Sequence, residues 1–250
     1  MSSKGYGVFL NSTFTNTFKF NSDNEYSMAI DTLGFDGRMD YFFIGGKKLT
    51  SVLDNYTQLT GRPRLPQKSM FGLQLSDKGH DHNSPTPSDE KWWKEKIREH
   101  RESGYPLDHV VNDNRWRAAG GQRCISKLDW DQERYPDPAE YGKWLDKNGL
   151  VITLDFNRCI GRFTDGWKPE FNLPITGEIQ FPESAPDLTN QEFRDWFWNA
   201  FKTKALAPEK DYPGDALWID EFDEMGAAPK KMVLSDGRSS AEMRNYWFFL

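Results

Sequence analysis

The sequence predicts an α/β fold, namely the first half of a (β/α)8 barrel preceded by the edge of an antiparallel sheet domain. Three observations carry the prediction. Four short apolar runs, at 70–75, 107–111, 150–156 and 215–220, read as buried parallel strands, and each gives way to polar residues at its carboxyl end. Segments of helical period lie between them. Before residue 49 the rhythm differs, with short β-like runs separated by glycines. An open parallel sheet is the second reading of the same βα rhythm.

Taken in order, Tyr6–Leu10, the Phe14, Phe18 and Phe20 region, Ser27–Asp31 and Tyr41–Ile44 read as strands, with Gly34, Gly37, Gly45 and Gly46 as turns. These make residues 1–48 the edge of an antiparallel sheet domain whose remainder is expected upstream. Leu49, Val52, Leu53, Tyr56 and Leu59 recur at helical spacing, and Gly61-Arg62-Pro63-Arg64-Leu65-Pro66 ends that helix, so 49–66 is a helix and stiff linker. Residues 67–250 are then the N-terminal part of the barrel. Its first strand is Met70–Leu75, followed by a helix from about Asp89 to Ser103. The second strand, Leu107–Val111, ends in Asn112-Asp113-Asn114-Arg115-Trp116, and a helix from Pro138 to Asn148 stops at Gly149. The third strand is Leu150–Phe156. Thr189 is expected to cap a helix that buries Phe193, Trp196, Phe197, Ala200 and Phe201. Asp215–Asp220 is the fourth strand, and Ser239 or Ser240 opens another helix. The stretch 157–188, rich in Gly, Pro and aromatic residues, reads as an ordered lid or small excursion.

Composition narrows the function. Aromatic residues make up 15% of the 250, including 10 Trp and 18 Phe, which is too much apolar mass for a disordered chain. A net charge of −6 argues against a nucleic-acid partner, whose recognition needs a basic surface. Many aromatic rings beside many carboxylates suit a neutral polyhydroxylated small molecule. Cys124 and Cys159 alone form neither a disulfide scaffold nor a CxxC metal motif. No apolar run is long enough to span a bilayer, so no membrane partner is expected. The opening residues lack a signal-peptide pattern, which implies a cytoplasmic location if that N-terminus is native. The chain ends inside the aromatic run Asn245–Leu250, and it is expected to continue beyond both ends and to be inactive as a fragment. Oligomeric state is left open.

The chemistry is expected where the strands end, because βα barrels build their sites there. Gln74 with Asp77, Asp113 with Arg115 and Trp116, Asp155 with Asn157 and Arg158, and Asp220 with Asp223 and Glu224 should converge on one mouth. Carboxylates gathered this way raise one another's pKa or recruit a cation, for which Arg115 and Arg158 are candidates. Paired carboxylates suit glycosidic bond cleavage, one attacking or steadying the anomeric carbon and one protonating the leaving oxygen. Trp116, Phe156, Trp167 and Phe222 would stack on sugar rings. Two other classes stay open. Asp155, Asp220, Asp223 and Glu224 are hard donors that could hold Mg²⁺ for a lyase or isomerase, and a degenerate barrel could bind carbohydrate without turnover. His80 and His82 share a loop without a third ligand in view, and the glycine pairs form no phosphate cradle. No metal and no cofactor are therefore assigned.

The residues Phe9-Leu10-Asn11-Ser12, Tyr41–Gly46 and Val52–Pro66 resemble the sandwich-to-barrel junction of glycoside hydrolase family 31. Tyr135-Pro136-Asp137-Pro138 is similar to that family's Phe-Pro-Asp-Pro, and Leu217-Trp218-Ile219-Asp220 to its nucleophile segment. The resemblance implies an α-glucosidase-like retaining α-glycosidase, exo-acting on oligosaccharides or glycosides, with Asp220 as nucleophile on barrel strand four. It also implies that Asp113 lies in the pocket of the nonreducing sugar, that Arg244 and Asn245 belong to the segment after the nucleophile, and that the general acid/base lies beyond Leu250. Glu221-Phe222-Asp223-Glu224 replaces the usual Met-Asn-Glu, so Asp223 and Glu224 are both candidates for the supporting carboxylate. Arg115 stands where glucosidase-like members carry a second aspartate, which points to an anionic or substituted sugar.

Overall fold

The computed structural model describes residues 1–13, 16–20, 28–32, 39–77, 87–119, 126–157, 165–171, 173, 186–220 and 232–243. The chain divides into two compact units. One comprises Met1–Leu65, Pro229–Val233 and Gly237–Leu250, and the other Pro66–Ala228 with Leu234–Asp236.

The first unit carries two antiparallel strand pairs. β1 (Tyr6–Leu10) pairs with β4 (Tyr41–Gly45), and β2 (Asn16–Phe20) with β3 (Met28–Thr32). Cross-strand aromatic stacking of Tyr6 on Phe43 and Phe9 on Phe42 fixes the β1–β4 register. Helix α1 (Leu49–Thr60) follows, ended by Gly61 at φ +91°, a conformation that glycine alone adopts freely. Val52 is buried, whereas Leu49, Leu53 and Leu59 are exposed. Ser239 opens the short helix Ser240–Met243, its hydroxyl accepting from the Glu242 N–H at 3.2 Å.

The second unit is built on a four-stranded parallel sheet, β5 (Gln74–Asp77), β6 (His109–Asn112), β9 (Val151–Asn157) and β10 (Ala216–Asp220), in that spatial order. Met70 and Phe71 belong to a 3-10 turn, Lys68–Phe71, and β5 starts later than the apolar run suggests because a run alone does not separate a turn from a strand. Helix α2 (Glu90–Glu102) starts at Asp89, whose side chain accepts from the Trp92 N–H at 2.7 Å, and α3 (Pro138–Lys147) starts at Asp137 with Pro138 in its first turn. The α4 helix (Gln191–Ala200) is capped by Asn190, which accepts from the Phe193 N–H at 3.1 Å. Thr189 is not the cap; its hydroxyl donates to Asp187 at 2.6 Å instead. A π-helical turn, Phe201–Leu206, extends α4 and carries the Ala205 carbonyl to the indole N–H of Trp130 at 2.8 Å.

Register partners in a sheet share a face. Leu75, Val110, Ile152 and Leu154 lie on the face that packs against Trp93, Ile97, Tyr141, Leu145, Ala200 and Phe201 of the helical layer. Gln74, Ser76, His109, Val111, Thr153, Asp155, Trp218 and Asp220 lie on the other. The stretch between β6 and α3, read from sequence as loop, contains a hairpin of β7 (Arg117–Ala119) and β8 (Ser126–Trp130). Of the 157–188 stretch, Phe171 is buried against Phe193 and Trp196, and most of the remainder lies outside the described residues.

Candidate active site

Three consecutive strands deliver carboxylates to one end of the sheet. Asp113 follows β6 directly, Asp155 lies near the end of β9, and Asp220 is the last residue of β10. Asp155 is 1% exposed and neither of its carboxyl oxygens meets a hydrogen-bond donor. Burial, the neighbouring Asp113 and, more weakly, Asp220 push its pKa up from 3.8 to about 8, against an opposing pull from Arg117. Arg117 is itself 1% exposed, and burial lowers its pKa to about 10 while Asp155 and Asp113 hold it up. Asp113, Asp155, Asp220 and Arg117 thus form one electrostatic cluster.

The other nominated residues fare differently. Asp77 falls on the helix-side face with Leu75 and Asn112, away from the face of Gln74 and Asp155, since its register is odd by one. Trp116 is corrected from rim to core: it is 0% exposed, its ring lies against Trp130 at 5.2 Å, and its indole N–H donates to the Asp155 carbonyl at 2.6 Å. No face remains to stack on a sugar. It braces the backbone of Asp155 from below. Arg115 is half-buried on the helical turn Asn114–Trp116, with its carbonyl accepting from Arg134 at 3.4 Å. Asp223, Glu224, Phe222, Arg158, Arg244 and Asn245 lie outside the described residues, as do His80 and His82.

Arg117 escaped the sequence reading because a lone arginine beyond a strand end carries no burial signal. Its signal is the pairing of Arg117 with Trp130, which appears only once β7 and β8 are recognised as a hairpin. Among the described residues, no group of three or more His, Cys, Asp or Glu could hold a metal ion, and no helix is long and apolar enough to cross a membrane. The cluster's chemistry is that of acids and one fixed cation, suited to holding hydroxyl groups and a developing positive charge.

The glycosyl hydrolases family 31 TIM-barrel domain model matches residues 63–250. An isomaltosyltransferase of Sporosarcina globispora is 37% identical over 99% of this chain and 25% of its own length. An alpha-xylosidase, XylQ, of Lactiplantibacillus pentosus is 32% identical over 65% of this chain and 20% of its own. In fold, the chain is similar to a family 31 dextranase of Flavobacterium johnsoniae complexed with glucose, at TM-score 0.75 and 22% identity, covering 100% of this chain and 30% of that one. The chain therefore spans about a fifth to a quarter of the length of these two curated relatives.

Proposed function

The chain belongs to glycoside hydrolase family 31, and on that premise we propose that it is the first half of a (β/α)8 catalytic barrel, from about residue 67, in a protein that cleaves α-glycosidic bonds with retention. Residues 1–48 are the end of a β-sandwich and 49–66 the connection. Asp220 is the nucleophile, Asp113 accepts hydroxyls of the nonreducing sugar, and Asp223 or Glu224 supports the nucleophile, with Arg244 and Phe222 at the pocket. Arg115 faces a charged or substituted sugar. The general acid is supplied from outside residues 1–250.

One observation carries the reading: Asp113 after β6 and Asp220 at the end of β10 both act on the buried Asp155 of the strand between them, beside a buried arginine. A retaining glycosidase needs an anion aimed at the anomeric carbon and further carboxylates that grip the ring hydroxyls. Sheet order that follows chain order, with α2, α3 and α4 contributing to a core on one face, supports a closing barrel over a doubly wound sheet, in which strand order reverses. The names of relatives support α-linked gluco- or xylo-configured oligosaccharides as the substrate class. The isomaltosyltransferase relative favours a second outcome, since a glycosyl-enzyme can pass its sugar to an acceptor hydroxyl as readily in principle as to water.

The test is trapping of the full-length protein with a 5-fluoro-α-glycosyl fluoride followed by peptide mass spectrometry. A label on the Asp220 peptide, and loss of turnover by several orders of magnitude in Asp220→Asn with ligand affinity retained, are expected. A label elsewhere, or sugar binding without turnover and insensitive to Asp220→Asn, refutes the assignment.

A further inference from the structure

Behind the end of β6, on the helix side of the sheet, lies a knot of polar groups that the proposed chemistry does not use. Its hub is the Tyr135 hydroxyl, which donates to the Ser88 carbonyl at 2.7 Å and accepts from Asn112 Nδ2 at 3.1 Å. A phenol has one hydrogen and a carbonyl can only accept, so the direction of both bonds is fixed. The Asn112 amide therefore turns Nδ2 to Tyr135 and Oδ1 away. Around this hub, Asn112 Oδ1, the Trp93 indole N–H, the Tyr141 hydroxyl and the Ser88 hydroxyl meet no hydrogen-bond partner among the described residues. Each of these residues is at most 3% exposed. The Tyr141 ring packs on that of Tyr135 at 5.3 Å, and both share one buried cluster with Trp93. Ser88 keeps its place with φ at +48°, an uncommon backbone for a residue that carries a side chain.

We propose that an internal water molecule binds in this knot, accepting from the Trp93 N–H and the Tyr141 hydroxyl and donating to Asn112 Oδ1 and Ser88 Oγ, so that Asn112 and Tyr135 are positioning residues for Asp113. The unmatched groups include both hydrogens and a bare carbonyl oxygen, which water satisfies together because it donates twice and accepts twice. Buried polar groups without a protein partner are regularly bridged in this way, by a water making two to four bonds. A metal cation does not fit the set, which contains no carboxylate and includes an indole N–H with no lone pair to offer. The consequence for the site follows from chain order. Asn112 is the last residue of β6 and Asp113 comes next. Through Tyr135, Ser88 and the water, that strand end is tied to the first turns of α2 and α3, where Trp93 and Tyr141 sit. The role given to Asp113 rests on the glycosidase reading. The water itself does not.

A crystal structure of the full-length protein tests the water, and the kinetics of Tyr135→Phe test its meaning. Density is expected for one ordered oxygen within about 3.2 Å of at least three of Trp93 Nε1, Tyr141 OH, Asn112 Oδ1 and Ser88 Oγ. Bonding of those groups directly to one another, or a knot with no such density, overturns the proposal. Tyr135→Phe keeps the ring and removes the hub. Asp113 would hold sugar hydroxyls before and during the reaction alike, so slackening it should raise KM by about tenfold, the effect of one hydrogen bond to a charged group, with kcat nearly unchanged. Asn112→Leu should show the same split. Unaltered kinetics, or a lower kcat at unchanged KM, which is what partial unfolding alone produces, refutes the positioning role. An ordered water in a wild-type protein that turns over no α-glycoside would refute the glycosidase reading, and with it the role of Asp113, and leave the water standing.

Discussion

Replacing Asp187 by Asn should loosen the segment that returns after β10. Asp187 is 2% exposed, and its two carboxyl oxygens divide their work. Oδ1 accepts from the N–H and hydroxyl of Thr189, at 2.9 and 2.6 Å, and Oδ2 accepts from the N–H and hydroxyl of Ser235, at 2.9 and 2.7 Å. An asparagine retains one acceptor oxygen and turns the other position into a donor. The Thr189 bonds form a local turn two residues on, so the amide keeps those and presents NH2 to Ser235. The Ser235 hydroxyl can rotate to accept, but its backbone N–H cannot, and an unsatisfied buried N–H costs about 1–3 kcal/mol. A central value of about 2 kcal/mol corresponds to roughly a 30-fold change in an opening equilibrium. Amide hydrogen exchange by mass spectrometry should therefore show faster exchange of the peptide covering residues 234–236 by about that factor, with the α2 and α3 peptides unchanged. Asp187→Ala, which removes both pairs of bonds, should open the same segment by about 3–5 kcal/mol. Unaltered exchange around Ser235 in the Asn variant would refute the clasp.

Two further outcomes follow from buried groups elsewhere in the same unit. The Tyr135 hydroxyl donates to the Ser88 carbonyl at 2.7 Å and accepts from Asn112 Nδ2 at 3.1 Å, so Tyr135→Phe strands both partners; a loss of about 2 kcal/mol in urea unfolding is expected, and a loss under about 0.5 kcal/mol would contradict it. Asp155 titrates near 8 when folded against an ordinary 3.8, so the native state binds the extra proton between those values and stability falls as pH rises through that window. The slope from this group approaches about 1.4 kcal/mol per pH unit and vanishes above the folded pKa. Asp155→Asn should flatten that share of the pH profile, and an unchanged slope between about pH 5 and 8 would contradict it.

What could be read from the sequence was local and periodic. Asp89 and Asp137 announce helix starts by accepting from the N–H three residues on, and Gly149 at φ +63° marks the end of α3. What could not be read depends on pairing across the chain. The β7–β8 hairpin contains only Arg117–Ala119 on one side, too short for an alternation to declare itself. Without it, Trp116 looks like a strand-end residue facing a ligand and Arg117 like a surface charge. With it, Trp116 is sealed beneath Trp130 and Arg117 is turned inward among carboxylates. The Thr189 error has the same origin. A hydroxyl one residue before the true cap is indistinguishable from a cap until its partner, Asp187, is seen to be tied to Ser235 across 48 residues.

Register also explains how carboxylates on adjacent strands can have different roles. Asp155 pairs with Trp218, and Asp220 with Asn157, so Asp220 stands two residues farther toward the carboxyl end on the same face. At about 3.3 Å per residue in a parallel strand that is a step of roughly 7 Å. The lower acid is buried, braced at its carbonyl by Trp116, and shifted toward the neutral form. The upper one is half-buried at the sheet's end. A glycosidase pocket needs an anion at the mouth that substrate can reach, and a floor that does not add another negative charge beneath it. Moving Asp155 up the strand by one residue would turn its side chain toward α3 and leave the floor without its acid. Moving it by two would set it level with Asp220 and strengthen the repulsion that the two already exert.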